Sequence, residues 1–152
     1  MIQRIQTIFL FASVCFLASI FFVPVAGLIG DAGDVFTFTA AGFYRSTAQG
    51  VDRINVQYSV TALGILICVL NFANIFMYQR RKLQMRLCMY TIVLLVGLSG
   101  IMLLTLTGIE HIQSVSYRLP FFFPFAAVVL QYLAFCRIRK DELTVRSLNR
   151  LR

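Results

Sequence analysis

The side chains best suited to chemistry in this chain are few and scattered. His111 is the only histidine and directly follows Glu110, a pair that could begin a metal site or a pH sensor. Zinc takes three or four protein ligands, so one imidazole and one carboxylate are too few. Asp141 and Glu142 are adjacent and would point apart on a helix, which argues against a paired-carboxylate mechanism.

The four cysteines also lack the spacing of a metal or redox site. Cys15 and Cys68 lie within apolar stretches, and Cys88 and Cys136 lie near the ends of others. The sequence contains no CxxC and no zinc-type spacing, so we interpret them as small packing residues. Because no nucleophile–base pair and no phosphate-binding glycine loop can be found either, we predict no enzymatic activity, no metal and no cofactor.

Three amide side chains are the most polar groups inside the apolar stretches: Asn71, Asn74 and Gln131. Polar side chains at membrane depth seek partners across helices, so we expect these three to form a packing clamp. Proton relays and ion pathways usually carry an ionisable residue at that depth, and the apolar stretches contain none. The alternative is that the three amides line a polar path through a small oligomeric transporter or channel.

The elements that must position these residues are four apolar stretches, each close to the 20 or so residues that a membrane-spanning helix needs. Apolar residues make up 59% of the chain and charged residues 13%, about half the charged share of a soluble domain. We therefore predict a single all-α integral membrane domain, a four-transmembrane-helix antiparallel bundle. Its predicted segments are helices 5–29, 56–78, 87–109 and 119–136, outer loops 30–55 and 110–118, an inner loop 79–86 and a tail 137–152.

The charges between those stretches are distributed unevenly, and this predicts an orientation. Of the 14 Lys and Arg residues, 11 lie before the first stretch, between the second and third, or after the fourth. The other two loops hold only Arg45, Arg53 and Arg118. Because Lys and Arg favour cytoplasmic loops, both termini are predicted to be cytoplasmic. Counted by side, the net charge of +8 becomes +9 inside and −1 outside.

The predicted cytoplasmic face is therefore strongly basic, and we interpret it as the candidate binding surface. An acidic protein or anionic membrane lipid would complement it, whereas nucleic acid or the ribosome is a conceivable partner that no motif indicates. A simpler alternative is that the cations only orient the helices and meet lipid headgroups. The sequence leaves the oligomeric state open. The candidate binding residues are Arg80, Arg81, Lys82, Arg86, Arg137, Arg139, Lys140, Arg146, Arg150 and Arg152.

The longest outer loop has the pattern of a β-hairpin. Residues 35–39 alternate apolar and polar side chains, and residues 43–47 could return as a second strand after a turn. A two-stranded hairpin is marginal by itself, so we expect this short extracytoplasmic hairpin to lie over the outer helix ends. Asp52 and Asn55 are predicted caps for the second helix.

Small residues and proline predict where the helices approach each other or bend. Gly64 in the second helix, with Gly97 and Gly100 in the third, would allow close packing within the chain. Pro124 lies about one turn into the fourth helix and should bend it.

The tail has the pattern of a separate helix. Asp141 could cap a helix that starts at Glu142, and Glu142 and Arg146 form a favourable i,i+4 pair. Apolar residues would gather on one side and arginines on another. We therefore predict a short cytoplasmic amphipathic C-terminal helix, suited to the membrane surface or to a groove on a partner.

Both ends of the chain resemble one known family. Residues 1–7, Met-Ile-Gln-Arg-Ile-Gln-Thr, and residues 139–152, Arg-Lys-Asp-Glu-Leu-Thr-Val-Arg-Ser-Leu-Asn-Arg-Leu-Arg, look like the termini of the domain-of-unknown-function 4293 family. The resemblance implies a small four-helix, multi-pass protein of the bacterial inner membrane, from the Bacteroidota lineage. The family has no assigned activity, so the resemblance transfers no catalytic residue.

These features lead to one functional hypothesis and two alternatives. We expect a non-enzymatic membrane subunit or scaffold whose basic cytoplasmic face and tail dock an acidic partner or anionic lipid. A small oligomeric transporter or channel is the alternative from another class, and a membrane enzyme ranks last.

Overall fold

The computed structural model describes residues 2–30, 35–47, 50–77, 80–108 and 112–150. Within these residues the chain forms four α-helices, five β-strands and a short 3₁₀ helix. The α-helices are α1 (Ile2–Phe22), α2 (Tyr58–Phe76), α3 (Arg81–Thr107) and α4 (Phe123–Arg150). The strands are β1 (Ala26–Gly30), β2 (Val35–Thr39), β3 (Gly42–Thr47), β4 (Gly50–Val56) and β5 (Ile112–Tyr117), and the 3₁₀ helix is Leu119–Phe122.

Three of the helical segments are long and apolar enough to cross a membrane: Tyr58–Phe76, Arg81–Thr107 and Leu119–Val145. A fourth, Gln6–Phe22, is apolar but shorter. Large apolar side chains also face outward along the helices; Phe72 is 54% exposed and Leu104 71%. An outer surface of this kind is unfavourable in water and suits lipid, so the architecture is consistent with a membrane protein.

Each helix packs against two others. Helix α1 contacts α2 and α4, and α3 contacts the same two. Most of the buried apolar residues form one continuous core that reaches from the helices into the sheet. A smaller cluster lies nearer the chain termini and contains Leu10, Cys88, Ala134 and Ile138. The interior is therefore apolar over most of its length, which makes its few polar residues conspicuous.

The five strands form one antiparallel sheet in the order β4-β3-β2-β1-β5. The predicted hairpin is confirmed, because β2 pairs with β3 and Phe38 lies opposite Phe43. These two rings pack with centroids 4.8 Å apart on the buried side of the sheet. The chain is mostly helical, as predicted, but the sheet has five strands and is larger than the one short hairpin that the sequence indicated.

The first helix is shorter than predicted. The sequence indicated a helix over residues 5–29, whereas α1 ends at Phe22 and β1 begins at Ala26. Pro24 disfavours helical geometry in the residue before it, which favours an end here. The backbone of β1 then pairs with β2 on one side and β5 on the other. Since β5 is distant in sequence, an apolar run alone could not reveal this pairing.

Both predicted outer loops also contain strands that the sequence did not indicate. Residues 50–56 form β4, which pairs with β3, and residues 112–117 form β5. The proposed capping by Asp52 and Asn55 is wrong because both belong to β4. Helix α2 instead has Gln57 at its N-cap, without a side-chain capping hydrogen bond.

Helix α4 is one continuous helix, so the separate tail helix predicted from Glu142 is wrong. Asp141 is not a cap; it lies inside α4, where its Oδ2 accepts a hydrogen bond from Gln6 Nε2 of α1. The bend predicted at Pro124 is also not required. Helix α4 begins at Phe123, so Pro124 falls in its first turn, where the missing N–H has no intrahelical partner to lose.

Candidate functional site

The beginning of α1, the beginning of α3 and the last turns of α4 lie together at one end of the molecule. Gln6 of α1 donates to Asp141 of α4, and Arg81 Nη1 of α3 donates to the backbone oxygen of Asp141 over 3.4 Å. We call this the basic end. The sheet lies at the opposite end, since its strands follow α1, precede α2 and connect α3 to α4.

Four of the predicted binding residues cluster where α3 begins. Arg80 is the N-cap, Arg81 and Lys82 open the helix, and Arg86 follows one turn later. The N-cap makes no side-chain capping hydrogen bond, and the first turn contains no acidic residue. A helix N-terminus carries a partial positive charge, so these cations increase the positive charge there and do not neutralise it. The arrangement favours an external anion.

The last turns of α4 supply three more predicted cations: Arg137, Arg139 and Lys140, all exposed. Arg137 and Arg139 are two residues apart on a helix, so they point to opposite sides. Arg146 and Arg150 belong to α4, but the structure does not describe their side chains, and Arg152 lies outside the described residues. The described cations therefore lie on more than one side of the basic end and do not form one flat patch.

Two neighbouring grooves lie between α3 and α4 at the basic end. The larger, which we call the α3–α4 groove, has a volume of about 420 Å³, and its neighbour about 350 Å³. Both are lined by Lys82 and Glu142. The full lining of the α3–α4 groove is Lys82, Met85, Arg86, Met89, Phe135, Arg139, Glu142 and Leu143. It therefore combines three cations, one carboxylate and four apolar side chains.

The three predicted amides are all completely buried, but their described hydrogen bonds go to other residues. Gln131 Nε2 donates to Thr91 Oγ1 over 2.7 Å, which joins α4 to α3. Asn74 Nδ2 donates to Cys88 Sγ over 3.2 Å, which joins α2 to α3. Thr91 and Cys88 are one turn apart, so they link the two bonds across three helices. We call this set the buried polar layer.

Several polar atoms of the layer have no hydrogen-bond partner among the described residues. Both amide atoms of Asn71 are unpartnered, as are Asn74 Oδ1 and Gln131 Oε1. The same holds for Ser13 Oγ of α1. A buried polar group without a hydrogen-bond partner carries a desolvation cost, so these atoms lower the stability of the fold.

Comparison with known families decides the membership of the chain. The family model described as "Domain of unknown function (DUF4293)" matches residues 2–151, nearly the whole length. The chain belongs to this family. A comparison with curated proteins finds none that matches it.

The sequence could have revealed more of the buried polar layer in this DUF4293 chain. Gln84, Cys88 and Thr91 fall at i, i+4 and i+7 of α3 and share the face that contacts the other helices. Gln84 Nε2 also lies 3.4 Å from the backbone oxygen of Asn74, to which it donates. The spacing was a usable signal, but residue type alone suggested that Cys88 was only a packing residue.

The glycines of the DUF4293 chain have different surroundings from those predicted. Gly64 is buried, and a methyl group added there would come 2.8 Å from Cζ of Phe21 in α1. Gly97 and Gly100 are exposed, and apart from the adjacent part of α3 itself no described atom comes within 4 Å of such a methyl group. Close packing within the chain is therefore supported at Gly64 and wrong at the other two positions.

The remaining candidates do not assemble into a described site. Glu110 and His111 lie outside the described residues. All four cysteines are free thiols, with Cys88 buried and both Cys15 and Cys136 exposed. Within the part of the chain that the structure describes, no three His, Cys, Asp or Glu side chains lie close enough together to hold a metal ion.

Proposed function

We propose that all four helices cross the bacterial inner membrane, with both termini and the basic end in the cytoplasm and the sheet outside. Helix α1 has 21 residues, close to the length that a span needs. The excess of Lys and Arg at one end supports the orientation, because cytoplasmic loops carry such residues. The result is a four-helix antiparallel bundle.

The orientation can be tested by labelling introduced cysteines in intact cells, after replacement of the four native ones. A membrane-impermeant maleimide should label Ser114→Cys, which is exposed on β5, and should leave Lys140→Cys unlabelled until the cells are opened. Labelling of Lys140→Cys in intact cells would contradict the orientation.

The proposed activity is that of a non-enzymatic membrane subunit or scaffold whose basic end docks an acidic protein or anionic lipid. The observation that carries this proposal is that cations of α3 and α4 line two neighbouring grooves that share Lys82 and Glu142. Like charges brought together in this way raise the free energy of the isolated protein, and an anionic ligand would lower it. A role in orientation alone would not require grooves.

The docking proposal can be tested by affinity purification from native membranes in mild detergent. Truncation after Lys140 should remove a co-purifying acidic protein that the full chain retains. Truncation also deletes Asp141, the hydrogen-bond partner of Gln6, so Asp141→Ala, which removes the acceptor oxygens, is the control for loss of that contact alone. An unchanged set of co-purifying proteins and an unchanged phenotype in the truncated chain would reject protein docking.

A small oligomeric transporter or channel is the second candidate, and the unpartnered amide of Asn71 supports it. A polar group without a hydrogen-bond partner among the described residues could face a solute during transport. If so, vesicles containing the protein should be more permeable to small solutes than empty vesicles, and Asn71→Leu should abolish the difference. Equal permeability of protein-containing and empty vesicles would reject this candidate.

A further inference from the structure

The α3–α4 groove has a charged end and an apolar end. Along α3 its lining runs from Lys82 through Arg86 to Met89, about 10 Å at 1.5 Å per residue. Along the antiparallel α4 it runs from Arg139 to Phe135 in the same direction. Met89 and Phe135 therefore lie about one turn further into the helical region than Arg86 and Arg139. The other two apolar lining residues are nearer the charged end, with Met85 between Lys82 and Arg86 and Leu143 one turn beyond Arg139.

The apolar end of the groove has a fixed floor. Met85 and Phe135 pack against the buried cluster around Cys88 and Ile138. Met89 is 49% exposed, so it presents an apolar surface beside that floor. Because the floor belongs to the core, the groove does not depend on a mobile side chain to hold its shape.

The charged end of the groove carries an excess of positive charge. Lys82, Arg86 and Arg139 contribute three cations, and Glu142 contributes one carboxylate. The uncapped N-terminus of α3 adds a partial positive charge at the same place. An anion bound there would interact favourably with the side chains and with the helix dipole.

We infer that this groove binds an anionic phospholipid of the leaflet that the basic end faces. The headgroup phosphate would lie between Lys82, Arg86 and Arg139, and an acyl chain would lie along Met89 and Phe135. A phospholipid separates charge and hydrocarbon along one axis, as the groove does, whereas an acidic peptide would leave the apolar end uncovered. Basic pockets between membrane helices bind lipid headgroups in this way. The inference rests on the proposed docking function and names its ligand.

The absence of tryptophan from the chain provides a direct assay. Tyr90→Trp would introduce a single fluorophore at a position that is 63% exposed, next to Met89 and one turn beyond Arg86. The full chain with this substitution is reconstituted into phosphatidylcholine vesicles that contain brominated phosphatidylglycerol, whose bromine atoms quench tryptophan on contact. Comparison with brominated phosphatidylcholine at the same mole fraction measures the preference for the anionic lipid.

We expect a clear preference for phosphatidylglycerol in the Tyr90→Trp chain. Adding Arg86→Gln or Arg139→Gln should lower that preference about fivefold, the effect expected for one Lys or Arg at a membrane surface. Arg137→Gln is the matched comparison, because it removes the same charge from the opposite side of α4, outside the groove lining. It should lower the preference clearly less than either groove variant, since only the general surface charge is then reduced. Arg86→Lys keeps the charge and should retain most of the preference.

Equal losses in all three glutamine variants would overturn the inference, because a diffuse positive field would then explain the preference. The absence of any preference would overturn it as well. If Arg86→Gln and Arg139→Gln leave the lipid preference unchanged but release an acidic protein during purification, the groove docks protein; the lipid inference then fails and the proposed function stands. The cysteine labelling of intact cells separates the groove assignment from the orientation. If it shows the basic end outside and the vesicle assay still shows the lipid preference, the proposed orientation fails and the groove assignment stands.

Discussion

The side chain of Gln131 in α4 donates a 2.7 Å hydrogen bond to Thr91 Oγ1 in α3, and both residues are completely buried. Thr91→Val would remove the acceptor and leave the Gln131 amide without this bond. Interhelical hydrogen bonds in membrane proteins contribute about 0.6 kcal/mol on average and up to about 1.7 kcal/mol. We expect Thr91→Val to lower the free energy of unfolding by about 1 kcal/mol, measured by denaturation in mixed micelles.

The matched control for that prediction is Thr107→Val in the same helix. Thr107 is exposed, and among the described residues its hydroxyl donates only to backbone carbonyls of its own helix, those of Leu103 and Leu104. Thr107→Val should have no measurable effect on the free energy of unfolding. The double variant Thr91→Val/Gln131→Leu should cost less than the sum of the single variants, because the two side chains share one bond. Strict additivity would contradict the bond.

The unpartnered amide of Asn71 gives a prediction of opposite sign. Asn71→Leu keeps the branched shape and removes two buried polar atoms that have no described partner. Such atoms carry a desolvation cost, so we expect the free energy of unfolding to stay equal or to rise by about 1 kcal/mol. Asn74→Leu is the control; it loses the bond to Cys88 Sγ and should be destabilising. Equal destabilisation by both variants would mean that Asn71 has a partner in the folded protein.

The close approach of Phe21 to Gly64 predicts that side-chain size matters there. Gly64→Leu would force the Phe21 ring or the α1–α2 contact to move, because even a methyl group would come 2.8 Å from the ring. Overpacking of this kind costs about 1–3 kcal/mol. Gly97→Leu is the control at an open position of α3. The thermal midpoint in detergent should fall for the first variant only, and a similar fall for both would indicate that an undescribed surface covers Gly97.

The contact between Phe38 and Phe43 predicts that the sheet contributes to the stability of the whole protein. Phe38 is completely buried in the same core as the helices, so Phe38→Ala should cost about 3–5 kcal/mol. Val35 lies in the same strand but is 49% exposed, and Val35→Ala should change stability by no more than about 0.5 kcal/mol. If Phe38→Ala left the unfolding of the helices unchanged, the sheet would be an independent unit.

The elements that the sequence predicted well are those with local signals. Long apolar runs predicted helices, and their positions agree over most of α2, α3 and α4. The alternation in residues 35–39 predicted β2 and its pairing with β3. Strands β1, β4 and β5 were missed because strand pairing depends on residues far apart in sequence. Residues 26–29 illustrate this, since they read as the end of an apolar helix and instead pair with both β2 and β5.

The candidate sites show the same division. Composition identified the cations of the basic end and the buried amides, since charge and polarity stand out in an apolar chain. It could not show that Arg86 and Arg139 share a groove while Arg137 faces away, because that depends on the rotation of each helix about its axis. Nor could it show that α4 continues past Asp141. The side chain of Asp141 accepts a hydrogen bond from Gln6, a residue near the other end of the chain, instead of capping a new helix.

By itself, the sequence determined that this is an apolar, mostly helical DUF4293 protein with its positive charge concentrated between and beyond particular helices. Those properties are local, and each can be counted along the chain. Only the tertiary structure decided that Gln131 donates a hydrogen bond to Thr91 and Asn74 one to Cys88. It also decided that the Asn71 amide has no hydrogen-bond partner among the described residues. The choice of partner depends on the register and rotation of packed helices, which the packing of the whole core sets.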